Sequence, residues 1–174
     1  YDDGLIELAD ILKEDGFKVV AAGAFIGEHS FSDILAKNRP DESDMKIVAD
    51  FAGDIYNKIA NNEVFPDLLV TGEKPYRKYY QPKDRYGNPF EFRLITPQTN
   101  KETCIDCKLC AEICPMGSIS FDDTSVLTGI CIKCCACVKG CPVGAKYFDD
   151  VNYIKHQKEL EEIYAERREP EIFI

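Results

Sequence analysis

The sequence predicts an α/β segment over residues 1–63 and a small α+β module over 101–150 built from two similar halves. Three observations carry this. Residues 1–63 alternate between helical and strand-like apolar patterns. A cysteine pattern at 104–115 returns at 131–142 with every position shifted by 27. A Pro- and Tyr-rich stretch, 64–100, separates the two regions, and a polar segment, 151–174, follows them.

In the first region Leu5, Leu8, Ile11 and Leu12 fall at helical spacing, and Gly16 stands where that helix would stop. "FKVVAAGAF" (17–25) is an apolar run without polar alternation, the pattern of a strand buried on both faces. Residues 26–40 read as a loop. Asp41 is placed to cap a second helix, with Glu42 and Asp44 in its first turn near the positive end of the dipole. The expected apolar face of that helix is Met45, Val48, Ala49, Ala52, Ile55, Tyr56 and Ile59. Helix, buried strand, helix is the order of an open α/β sheet, yet one buried strand cannot form a sheet alone. Either further strands lie in sequence before Tyr1, the reading favoured here, or this region packs in an unusual way. A first residue that is not Met fits a start further upstream.

The stretch 64–100 is expected to be an ordered connector whose tyrosines pin it to its neighbours, with "FEFRLI" (90–95) as one edge strand. Residues 152–168 are expected to form a helix capped by Asn152.

The net charge of -10 is distributed as -8 over 1–63, +2 over 64–100, -2 over 101–150 and -2 over 151–174. No basic stripe exists to meet a phosphate backbone, so nucleic acid is not expected as a partner. An acidic surface suits solubility and docking onto basic patches of redox partner proteins. No apolar run approaches the ~20 residues of a membrane helix, and no charged-then-apolar leader opens the chain. The protein is therefore expected in the cytoplasm, where nine cysteines point to metal rather than disulfides.

The first run is Cys104-x2-Cys107-x2-Cys110-x3-Cys114-Pro115; the second is Cys131-x2-Cys134-x2-Cys137-x3-Cys141-Pro142. Ile105/Ile132, Gly117/Gly144 and Phe121/Phe148 obey the same offset, which makes this an internal repeat with a pseudo-twofold. Three thiolates at i, i+3 and i+6 curl around one face of an iron–sulfur cube. The fourth, after three intervening residues and followed by proline, belongs in this motif to the other cube. The predicted ligands are Cys104, Cys107, Cys110 and Cys141 for one [4Fe–4S] centre, and Cys131, Cys134, Cys137 and Cys114 for the other. Structural zinc prefers two separated knuckles, and a disulfide framework suits an exported chain with an even cysteine count. Cys135 takes the place of Lys108 in the repeat, so it is expected to be a packed or partly exposed thiol, or else a substitute ligand after cluster damage.

On these residues 101–150 resembles a bacterial-type two-[4Fe–4S] ferredoxin. The stretch before it, with "GEHSFS" and "RPDESD", resembles the C-terminal part of a flavodoxin-like domain in flavodoxin–ferredoxin fusions. The implied fold is an α/β remnant of a flavodoxin-like domain (1–63), a connector (64–100), an α+β two-cluster ferredoxin domain (101–150), and a C-terminal helix and tail (151–174). The chain has no Ser/Thr/Gly-rich loop of the kind that cradles an FMN phosphate, so FMN is expected only in a longer parent chain.

The expected function is one-electron transfer through the two centres. The alternative is the electron-input module of an FMN-dependent oxidoreductase with a flavin domain in cis, and a third reading is a sensor with Cys135 as its labile thiol. No catalytic residues are expected. His29, at the end of the predicted strand, reads as loop-stabilising rather than a flavin contact, and His156 as a solvated side chain. Lys133 and Lys139 stand where the first half has Asp106 and Glu112, which predicts a higher potential for the Cys131-containing centre.

Overall fold

Gly16 ends the first helix as expected. It takes φ +87 just past α1 (Gly4–Glu14), and the Phe17 N–H turns back to Leu12 O at 2.9 Å. The computed structural model of the chain describes residues 1–84 and 86–174. Two compact units emerge, and neither is continuous in sequence. The first holds Tyr1–Glu28, Ala36–Tyr80 and Glu166–Ile174; the second holds His29–Leu35 and Gln81–Ala165. They cut across the four consecutive spans expected above, because the tail returns to the first unit and residues 29–35 pack within the second.

In the first unit the expected nine-residue strand shrinks to β1 (Ala22–Ala24), whose partner β4 (Glu171–Phe173) is antiparallel, pairing Ala22 with Phe173 and Ala24 with Glu171. A buried parallel strand needs neighbours on both edges. Among the described residues β1 has one, and Phe17 is left 64% exposed.

The second helix, α2 (Glu42–Ala60), begins on a full capping box. The Asp41 carboxylate accepts from Ser43 N and Asp44 N, and the Asp44 carboxylate accepts from Asp41 N at 2.9 Å. Its inward face is rotated from the expected one: Asp44 is buried and Val48, Phe51 and Ile55 are half-buried, whereas Met45, Tyr56 and Ile59 are exposed. The cause is a buried ion pair in which Arg39 donates through Nε and Nη2 to Asp44, leaving Nη1 for Arg168 O at 2.6 Å. Arg39 holds the Asp44 carboxyl below the usual carboxylate range.

The connector tyrosines do pin the chain: Tyr76 donates to Asp10, and Tyr79 donates to Glu7 at 2.6 Å. Asp3, 5% exposed, accepts from Glu73 N, Arg77 N and the Arg77 guanidinium, fixing residues 73–77 against the start of α1.

In the second unit "FEFRLI" makes a 3-10 turn (Phe92–Leu94) rather than a strand. Its N–H groups bond locally, Leu94 to Glu91 O and Ile95 to Phe92 O, and the turn lets Phe92 stack on Tyr153. A short ladder follows between β2 (Gln98–Thr99) and β3 (Lys146–Tyr147), antiparallel, with Thr99 opposite Lys146. Between these strands lie two one-turn helices, α3 (Leu109–Glu112) and α4 (Ala136–Lys139), offset by the same 27 residues. The core between them is Ala111, Ile119 and Cys137. The last helix, α5 (Val151–Ile163), is capped by Asp150, two residues before the expected Asn152, since Asp150 accepts from both Asn152 N and Tyr153 N. Among the described residues, no helix is long and apolar enough to cross a membrane.

Candidate metal centre

The two cysteine loops share a backbone as well as a spacing. Left-handed conformations occur in pairs at Asp106 and Lys133 (φ 55 and 57), Lys108 and Cys135 (63 and 58), and Gly117 and Gly144 (57 and 64). Each pair obeys the 27-residue offset. Residues that take this conformation with a side chain are uncommon, so their recurrence at matched places fixes the loop course, not chance.

The cysteines on these loops line two separate hollows. One is lined by Cys104, Cys107, Cys110 and Cys141; the other by Cys131, Cys134, Cys137 and Cys114, with Cys135 beside them. The hollows are of similar size, each a narrow cavity of about 20 Å³. All nine cysteines are free thiols; Cys107 and Cys134 both reach the surface, whereas Cys137 is buried and its counterpart Cys110 only partly so. Among the described residues no three His, Cys, Asp or Glu side chains converge tightly enough for a single metal ion.

Backbone donors face one sulfur in each half of the repeat. Ser118 N–H points to Cys114 Sγ at 3.4 Å, and Ala145 N–H to Cys141 Sγ at 3.2 Å, again 27 residues apart. Burial opposes a thiolate at Cys141, but the N–H groups of Val143, Ala145, Lys146 and Gly144 together outweigh it and hold its pKa below the usual thiol value. At Cys137, burial pushes the thiol up to about 12. A buried sulfur of that kind becomes a ligand only when a cationic centre is there to hold its charge. The thiol donors and the N–H groups aimed at them suit [4Fe–4S] ligation.

Residues 97–120 match the 4Fe-4S binding domain family. The match takes in Cys104, Cys107, Cys110, Cys114 and Pro115, so the chain carries a ferredoxin-type iron–sulfur segment, the equipment for electron transfer through a [4Fe–4S] cluster. No curated protein and no solved structure matches the chain.

Around the ferredoxin-type segment and its repeat, several side chains do what their sequence context conceals. Cys135 is 3% exposed, its Sγ lies 3.3 Å from the Tyr153 hydroxyl, and burial raises its thiol pKa, so it is a packed thiol. His156 is not solvated: it is 6% exposed, with its ring 5.8 Å from Phe31 and 5.6 Å from Phe92. His29 lies edge-on to Phe31 at 4.3 Å, and its Nδ1 is buried without a hydrogen-bond partner among the described residues.

Lys133 and Lys139 also serve as anchors. Lys133 Nζ donates to Arg93 O and to Cys131 O at 3.0 Å, tying down the 3-10 turn. Lys139 Nζ donates to His29 O at 2.8 Å and Ser32 O at 2.9 Å, holding the loop 29–35. A further lysine, Lys146, is buried in the wall of the Cys104 hollow; comparing it with its repeat counterpart Ile119 is the signal that could have found it.

Proposed function

We propose that this chain carries electrons one at a time through two [4Fe–4S] centres, one on Cys104, Cys107, Cys110 and Cys141 and the other on Cys131, Cys134, Cys137 and Cys114. The observation that carries this reading is the sorting of eight cysteines into two hollows, each containing one cysteine from the opposite half. When bound, each cube accepts and releases one electron with little change of shape. The chain's own share is to hold the cubes side by side, to aim N–H groups at Cys114 and Cys141, and to wall the hollows with apolar side chains such as Ile119, Leu127 and Val143. Anaerobic iron and acid-labile sulfide analysis tests it: two centres require about eight of each per chain. Zinc in their place, or half that iron, would sink the proposal. The partners on this reading are redox proteins in the cytoplasm.

A second reading is supported by the first unit. Its helices leave Leu8, Ile11, Met45 and Ile59 at least half exposed, which is apolar surface that further strands of a flavodoxin-like sheet would cover. The chain would then be the electron-input module of an FMN-dependent oxidoreductase. A flavin absorbance band that bleaches with substrate, in protein purified from its native cells, supports this; iron–sulfur absorbance alone removes it.

A further inference from the structure

Lys146 is 3% exposed, yet it has no carboxylate partner among the described residues; its Nζ donates to Thr124 O at 2.5 Å. A buried cation satisfied only by a carbonyl is costly unless negative charge lies near. Lys146 and Thr124 both line the hollow of Cys104, Cys107, Cys110 and Cys141. The same place in the other half is Ile119, 4% exposed, which lines the other hollow. One hollow therefore has a cation where its twin has only methyl groups.

We propose that Lys146 is the built-in counter-charge of the Cys104/Cys107/Cys110/Cys141 centre and raises the reduction potential of that centre. This rests on the two-centre reading above. A cube with four thiolates is an anion that gains one more negative charge on reduction, so a fixed ammonium in its wall favours the reduced form. The effect opposes the ranking expected from Asp106 and Glu112 against Lys133 and Lys139, and it brings the two potentials together.

The test is an EPR-monitored redox titration of the full chain and its Lys146→Met variant, with iron and sulfide counted in each sample first. Lys146→Met is expected to shift the share of electrons held by the Cys104 centre, relative to the other, about tenfold downward, which for a one-electron couple is about 59 mV. Lys146→Arg, which keeps the charge, is expected to stay within about threefold of the wild type. If Lys146→Met loads incompletely, Lys146→Gln, which keeps an N–H donor without charge, is titrated in its place. Full iron content with an unchanged ratio, or a larger shift at the Cys131 centre, overturns the inference and leaves the two-centre reading standing. A wild-type chain that lacks the iron for two centres removes both.

Discussion

Ile113 and Gly140 occupy the same place in the two halves of the repeat, and they meet each other. A Cβ on Gly140 would lie 2.6 Å from Ile113 Cδ1 and 2.8 Å from Ala136 O. The bulk of one half thus fills the space that its counterpart leaves empty, and the two halves are complementary there rather than identical. Gly140→Ala should destabilise the second unit by about 1–3 kcal/mol through overpacking. Ile113→Ala in the same chain should recover part of that loss, because the two sites share one space. Thermal melts of the two single variants and the double variant measure the coupling; strictly additive losses would contradict it.

Crossed ligation makes a prediction about which variants resemble one another. Cys114→Ser should damage the same centre as Cys131→Ser and spare the centre damaged by Cys110→Ser. EPR of the dithionite-reduced variants reads the two signals separately. A Cys114→Ser spectrum that matches Cys110→Ser would mean that each half keeps its own cube.

Lys139 holds the loop 29–35 through His29 O and Ser32 O, while Ser32 Oγ donates to Glu161 at 2.7 Å. Lys139 itself is exposed, so water screens these bonds and each contributes about 1 kcal/mol. Lys139→Met should therefore speed amide exchange in residues 29–35 by tenfold or more, with little change in α5. Unaltered exchange in that loop would show that the aromatic contacts of Phe31 hold it without help.

Burial lowers the pKa of both His29 and His156. Lys139 adds to that effect at His29 and Glu161 opposes it; at His156, Glu159 opposes it while His29 and Lys155 add to it. The unfolded chain then binds protons more readily, so these residues' contribution is complete above about pH 6.5 and is lost as pH falls through that value. Melting of the anaerobic protein should therefore drop between about pH 7 and pH 5, and His156→Phe should make the drop shallower. An identical drop in the variant would assign it to other groups.

Cys135→Ala should keep full iron and sulfide and an unchanged visible spectrum, since its thiol packs under Tyr153. The expected cost is about 1 kcal/mol of stability from lost packing. Loss of one centre would make Cys135 a ligand after all.

Features set by local chemistry could be read from the sequence. The stop at Gly16, the cap at Asp41 and the matched backbone of the two cysteine runs depend on neighbours a few residues apart or on one fixed offset. Features set by distant partners could not. The face of α2 is fixed by Arg39 reaching Asp44, and His156 is buried by Phe31, more than a hundred residues earlier. "FEFRLI" alternates like a strand, but Phe92 earns its turn by stacking on Tyr153. Lys146 was hidden because a lysine usually marks a solvated face, and only its twin Ile119 reveals it as a core position.

The pairing of Ala22 with Phe173 bears on how the polypeptide can be divided. The first unit stays unfinished until its last nine residues emerge from the ribosome, and the second needs seven residues made long before its cysteines. No single cut separates them, so excising either unit calls for a redesigned connection rather than a truncation.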